Sequence, residues 1–131
     1  MRVTKDVTEI EDFLPIIAQP DYLLLQSSNY GYFVSDENII IPFVVISRLG
    51  LKWVVLTSSP LNSSSADKER VLLDEIIKYA KKQNCIYITC ANQALFNFYP
   101  PGSKHCVFGT YKVSLELTEE ELFKNLHAKH R

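Results

Sequence analysis

Apolar positions repeat at helical spacing near the start, give way to β-branched and aromatic runs, and then return to a long helical stripe. Ile10, Phe13, Leu14 and Ile17 share one helical face, and Thr8 with Glu11 forms a capping box ahead of them. The spacing predicts a short amphipathic helix that Pro15 kinks or ends, with Pro20 just beyond it. From Asp21 to Ser58 the texture predicts strands at Tyr22 to Gln26, Tyr30 to Ser35, Ile39 to Ser47 and Leu51 to Thr57. Asp36, Glu37 and Asn38 predict one tight turn, and Arg48, Leu49 and Gly50 the next, both short enough for antiparallel hairpins. Pro42 cannot donate a ladder hydrogen bond, so it belongs at a bulge or an edge-facing position.

A polar loop from Ser58 to Ser65 leads into the clearest helical stripe: Leu72, Leu73, Ile76, Ile77 and Ala80 on one face, charged residues elsewhere. Ser64 or Ser65 is positioned to cap this helix. Cys85 to Ala91 then predicts a buried strand, and strand–helix–strand order implies a parallel crossover. Ala94, Leu95 and Phe98 predict a short helix ended by Pro100, Pro101 and Gly102. Val107 to Leu117 alternates as a final strand. Thr118 with Glu121 forms a second capping box, and Leu117 against Leu122 a hydrophobic staple, starting a helix over 118–131. With no internal repeat or low-complexity linker, residues 1–131 are expected to form one α/β domain with a mixed, mostly antiparallel sheet flanked by helices.

Composition narrows the function classes. The chain has 131 residues, 47% hydrophobic and 22% charged, as in an ordinary globule able to bury roughly two-thirds of its unfolded surface. Its formal charge of −1 creates no global basic field, so DNA binding is not expected and any phosphate contact must be a local patch. No apolar run approaches the roughly 20 residues of a membrane helix, and Met1 to Thr8 lacks an apolar signal core, so a cytoplasmic protein is expected. Cys85, Cys90 and Cys106 are odd in number and lack C-x-x-C spacing, which predicts buried free thiols rather than zinc or a disulfide framework. His127 and His130 have no third ligand nearby in sequence, so no metal is expected. No Ser-His-Asp order, nucleophile elbow or nucleotide phosphate loop is present.

Three stretches carry a family resemblance. Gln26-Ser27-Ser28-Asn29-Tyr30-Gly31 resembles the Q-S-x-x-aromatic-G segment found early in the Fem-type (FemAB-like) peptidoglycan-bridge aminoacyltransferases and related acyltransferases, with Tyr30 where Trp is usual. Pro42 to Asn62 resembles their strand pair that starts at Pro and finishes in a Ser/Pro loop. Thr110 to Arg131 resembles the Thr strand, the D-L-(S/T)-x-x-E-E-L turn and the K-x-R helix leading out of the first lobe, with Glu116 in place of the usual Asp. The resemblance covers nearly the whole chain and implies a GNAT-like fold, the first lobe of a two-lobe protein. It further implies an amine acceptor in the cleft between lobes and an acyl or aminoacyl donor, an aminoacyl-tRNA or an acyl-CoA, used by the second lobe. The helix over 118–131 would lead to that lobe, or pack against a dimer partner.

The expected role is therefore an acceptor-side lobe of an acyl or aminoacyl transferase, not fully catalytic alone. Its alternatives are a noncatalytic binding module with the same fold and a stand-alone coenzyme A-dependent N-acetyltransferase. Coenzyme A is disfavoured because serines and Asn62 stand where a glycine-rich basic loop would let backbone approach phosphate. Candidate substrate contacts are Gln26, Tyr30, Tyr32, Ser58, Ser59 and Asn62. Lys124, His127 and Arg131, at i, i+3 and i+7 of the last helix, are candidates for phosphate or tRNA contact, the plainer reading being cations that complement a helix C-terminus. No residue is assigned as the catalytic base.

Overall fold

The computed structural model describes residues 1–8, 14–62, 65–92, 94–104, 118, 120, 121 and 124. Strands β1 (Arg2–Thr4), β2 (Tyr30–Val34), β3 (Ile40–Arg48), β4 (Leu51–Leu56) and β5 (Tyr87–Cys90) lie side by side in chain order in a single sheet. The first three pairings are antiparallel, and β4 pairs with β5 in parallel. Helix α1 (Pro20–Gln26) precedes β2, and helix α2 (Ala66–Lys82) is the crossover from β4 to β5. The class is thus α+β with a mixed, mostly antiparallel sheet.

Strand alternation divides the core in two. Phe33, Ile41, Phe43, Val45, Val54 and Leu56 pack with Leu72, Leu73, Ile76 and Ala80 of α2. Burial of each large side chain here contributes about 1.5–3 kcal/mol. The Phe33 and Phe43 rings stack at 4.0 Å, and Tyr79 of α2 meets them edge-on at 5.1 and 5.8 Å. Gly31 makes this stack possible: a Cβ there would lie 3.1 Å from the Thr4 carbonyl and 3.2 Å from the Phe43 ring. On the opposite face Tyr32, Val34, Ile40 and Val44 pack with Leu14, Ala18 and Leu23.

The turns follow their residues. Leu49 and Gly50 both have positive φ, 52° and 80°, between the paired Arg48 and Leu51, giving a two-residue hairpin whose twist matches its strands. Asn38, at φ 59°, completes the β2–β3 turn. Pro42 pairs with Tyr32 of β2, while its carbonyl accepts from Thr57 on the β4 side. Its missing N–H therefore faces the bulge that follows Leu56, where the regular β4 ladder has ended.

Three expectations are corrected. Tyr22 to Gln26 is not a strand but most of α1, because Pro20 stands at the first helical turn and the unbranched leucines favour helix. Only Leu23 of that helix is buried, while Leu24 and Leu25 are exposed. Ala94 to Phe98 is not helical, since the N–H groups of Leu95, Asn97 and Phe98 are given to side chains of other elements rather than to preceding carbonyls. The early amphipathic helix shows as a 3-10 turn, Ile16–Ala18, capped by Pro15, with residues 9–13 of that expectation outside the described residues. Strand β1 had no forecast, being too short to display alternation. The predicted strand Val107 to Leu117 also lies outside the described residues. The second capping box is formed: Thr118 N–H donates to Glu121 at 2.9 Å, and Glu121 N–H returns a bond to the Thr118 hydroxyl.

Candidate functional site

The carboxyl ends of the parallel pair β4–β5 lie on the side of the sheet where α2 begins. The backbone leaves β4 through a bulge. Thr57 N–H donates to Pro42, and Leu61 then rejoins β3 through paired bonds with Ile40, so four residue steps on one strand span two on the other. Ser58, Ser59 and Pro60 form the bulge. Ser58 is buried, with its hydroxyl donating to the Ser59 carbonyl at 2.9 Å. The Ser59 hydroxyl accepts the Leu95 N–H at 2.8 Å.

Glu69 lies in the first turn of α2 and is only 1% exposed. Its carboxylate accepts three N–H bonds from one stretch of chain: Asn97 N–H at 2.5 Å, Asn97 Nδ2 at 2.8 Å and Phe98 N–H at 3.2 Å. A negative group also suits the positive end of a helix. Arg70 stands over the Phe98 ring at 6.0 Å. Ser65 caps α2 by accepting the Lys68 N–H at 3.4 Å, and the Lys68 ammonium is paired with Glu37 of the β2–β3 turn. Among the described residues, no group of three His, Cys, Asp or Glu is placed to hold a metal ion.

The candidate residues are distributed over separate places. Ser58 and Ser59 sit together at the bulge. Asn62 is exposed beyond it, in a left-handed conformation, with its amide donating to the Asn38 carbonyl at 3.4 Å. Gln26 is exposed at the end of α1, and Tyr30 is half-buried on the α1 side of the sheet with the Lys5 ammonium 4.6 Å from its ring centre. Tyr32 is fully buried, and its hydroxyl donates to the Ala18 carbonyl at 2.6 Å, which makes it a core strut. No hydrogen bond or ring contact among the described residues joins Gln26 or Tyr30 to the bulge. Ser27 anchors the stretch between them, donating to the Val45 carbonyl at 2.7 Å and accepting the Asn29 N–H at 3.1 Å. Lys124 is exposed on a helical residue, and His127 and Arg131 lie outside the described residues.

Glu69 is the residue that sequence reading missed. It precedes Leu72 by three and Leu73 by four, so it falls on the apolar stripe of α2, and a carboxylate on a buried stripe needs partners. That position was the available signal. Comparison with protein-family models, with curated proteins and with solved structures finds no match to this chain.

Proposed function

We propose that this chain is a GNAT-like lobe on the acceptor side of an acyl or aminoacyl transferase, acting on an amine and completed by a second lobe. The observation that carries the reading is the element order: an antiparallel meander, a bulged β4, a helical crossover and a parallel β5, with Ser58, Ser59 and Glu69 beyond the carboxyl end of β4. A carboxylate and hydroxyls are apt partners for a protonated amine, and acyl transfer needs an amine held in place more than it needs a special nucleophile. The three sequence stretches that resemble the Fem-type family support the same reading, as does the run of serines without glycine before α2, which weighs against a phosphate-bearing donor bound here.

A noncatalytic binding module is the second reading, favoured by the engagement of the Ser59 hydroxyl and the Glu69 carboxylate by Leu95, Asn97 and Phe98. Ligand-linked stability separates the readings. A lysine-containing peptidoglycan stem peptide at 100 times its dissociation constant should stabilise the chain by about 2.7 kcal/mol. Stabilisation by the peptide and not by coenzyme A is the expected result. No response to the peptide at millimolar concentration overturns the acceptor-lobe reading, and a response to coenzyme A alone transfers the assignment to a stand-alone acetyltransferase.

A further inference from the structure

We infer that the β3–β4 hairpin end of the sheet is a docking surface for an anionic lipid membrane. Its tip reads Arg48-Leu49-Gly50-Leu51-Lys52, two leucines held between two cations, and all five residues are exposed. Leu49 is 93% exposed and Leu51 51%. Leu49 also holds the left-handed conformation, at φ 52°, which is unfavourable for a leucine. The fold thus accepts strain at this position with no packing in return, and strain of this kind clusters at functional sites. The neighbouring strand widens the patch: the Ile86 N–H donates to the Lys52 carbonyl at 2.8 Å, and Ile86 is itself exposed. Behind the tip, on the face that Leu51 shares by strand alternation, Trp53 stacks on Tyr87 with ring centres 5.5 Å apart.

Charge at this end fits the same partner. The last turn of α2, with exposed Lys81 and Lys82, comes to the end of the sheet where β5 starts beside Lys52, since the Cys85 N–H returns to the Ala80 carbonyl. No ion pair among the described residues takes up Arg48, Lys52, Lys81 or Lys82. At the opposite end, where the β2–β3 turn meets the start of α2, Lys68 is paired with Glu37 and the Met1 amine with Asp36. The negative surface potential of an anionic bilayer attracts cations left unpaired beside an apolar tip. The leucines select a bilayer over a nucleic acid: phosphate contacts need only the cations, whereas exposed leucines gain by entering the acyl boundary. A half-buried Trp beside a Tyr suits the headgroup level above them.

Vesicle binding by the full chain tests this, with Trp53, the single tryptophan, as the reporter. Vesicles of phosphatidylcholine with about one quarter phosphatidylserine should bind the chain and shift Trp53 emission to the blue. Pure phosphatidylcholine should bind about tenfold more weakly, and salt at about 0.5 M should bring the two together. Leu49→Asn should weaken binding to the anionic vesicles about tenfold, and Lys52→Gln about fivefold. Leu51→Thr, which keeps a strand-forming residue, should weaken it about threefold to tenfold. Leu95→Asn, at an exposed leucine beyond the carboxyl end of β4, should leave binding unchanged. Thermal melting of each variant separates lost docking from lost folding. No binding to anionic vesicles, equal binding to neutral ones at low salt, or binding that Leu49→Asn and Leu51→Thr leave intact would each overturn the inference. So would self-association without lipid that Leu49→Asn abolishes, which makes the tip an interface between copies, or binding of single-stranded RNA in place of vesicles.

Discussion

Replacing Tyr32 with Phe removes one oxygen from the middle of the α1-side core. That hydroxyl donates to the Ala18 carbonyl at 2.6 Å, and both residues are fully buried. The bond ties the sheet to the 3-10 turn that precedes α1, fourteen residues away in sequence. A neutral intramolecular bond of this sort contributes about 0.5–1.5 kcal/mol net, and leaving a buried carbonyl short of a donor costs about 1–3 kcal/mol. The expected loss for Tyr32→Phe is therefore about 1–2 kcal/mol, a fall in Tm of roughly 3–10 °C for a chain of this length. Tyr30→Phe is the control: it keeps an aromatic ring under the Lys5 ammonium at a half-buried position and should shift stability by less than about 0.5 kcal/mol. Urea unfolding followed by circular dichroism, with the slope of the transition compared between variants, measures both. Equal stability of Tyr32→Phe and the wild type would refute the strut. If that equality came with weakened binding of the stem peptide, Tyr32 would return to the binding residues.

Leu49 is exposed and sits at φ 52° in the first central position of a two-residue hairpin turn. Leu49→Asn should raise stability by about 0.5–1 kcal/mol, because Asn enters the left-handed region at lower cost; a melting temperature at or below the wild type refutes this. At alkaline pH, burial holds the Cys85 thiol above its usual range against a partial pull from Lys52, and burial likewise raises the Tyr79 phenol, with Cys85 adding to it. The fold thus favours both neutral forms, so their contribution is complete below the unfolded values and is lost as pH rises through the folded ones. The urea midpoint should decline as pH rises above about 8.5, and Cys85→Ala should remove the earlier part of the decline. A flat midpoint across that window argues against it.

The elements whose pattern has one solution were legible from sequence. The α2 stripe, its Ser65 cap, the two hairpin turns and the parallel return to β5 all rest on local spacing, and the structure carries each of them, but β5 is not the buried strand expected over Cys85 to Ala91: Tyr87 and Cys90 are exposed and Cys85 is half-buried. Leu23, Leu24 and Leu25 have no such pattern, for an uninterrupted apolar run suits a strand as well as a helix until Pro20 is read as a helix start. The candidate site was half legible. Ser58 and Ser59 were identified as candidates, but Ala94 to Phe98 was read by its own spacing, whereas its conformation is decided by Glu69 and Ser59, distant side chains that take its N–H groups. Tyr32 shares strand parity with Tyr30, and sequence could not distinguish the ring that closes the core from the one at its margin.

The agreement between strand order in space and strand order in sequence has a consequence for how the chain is made. During synthesis β3 can pair with β2 as soon as it emerges, and β4 with β3, each across a turn of a few residues. The growing end of the sheet is then always its newest strand, so no earlier hydrogen-bonding edge stays open on that side waiting for a distant partner. Two strands depart from this schedule. β1 is released first and must wait for β2, while α1 forms between them; β5 must wait for α2, whose coiling shortens the path it has to close. Ser59 and Glu69 both precede residues 94–98 in the chain, so Leu95, Asn97 and Phe98 meet side chains that have already been made.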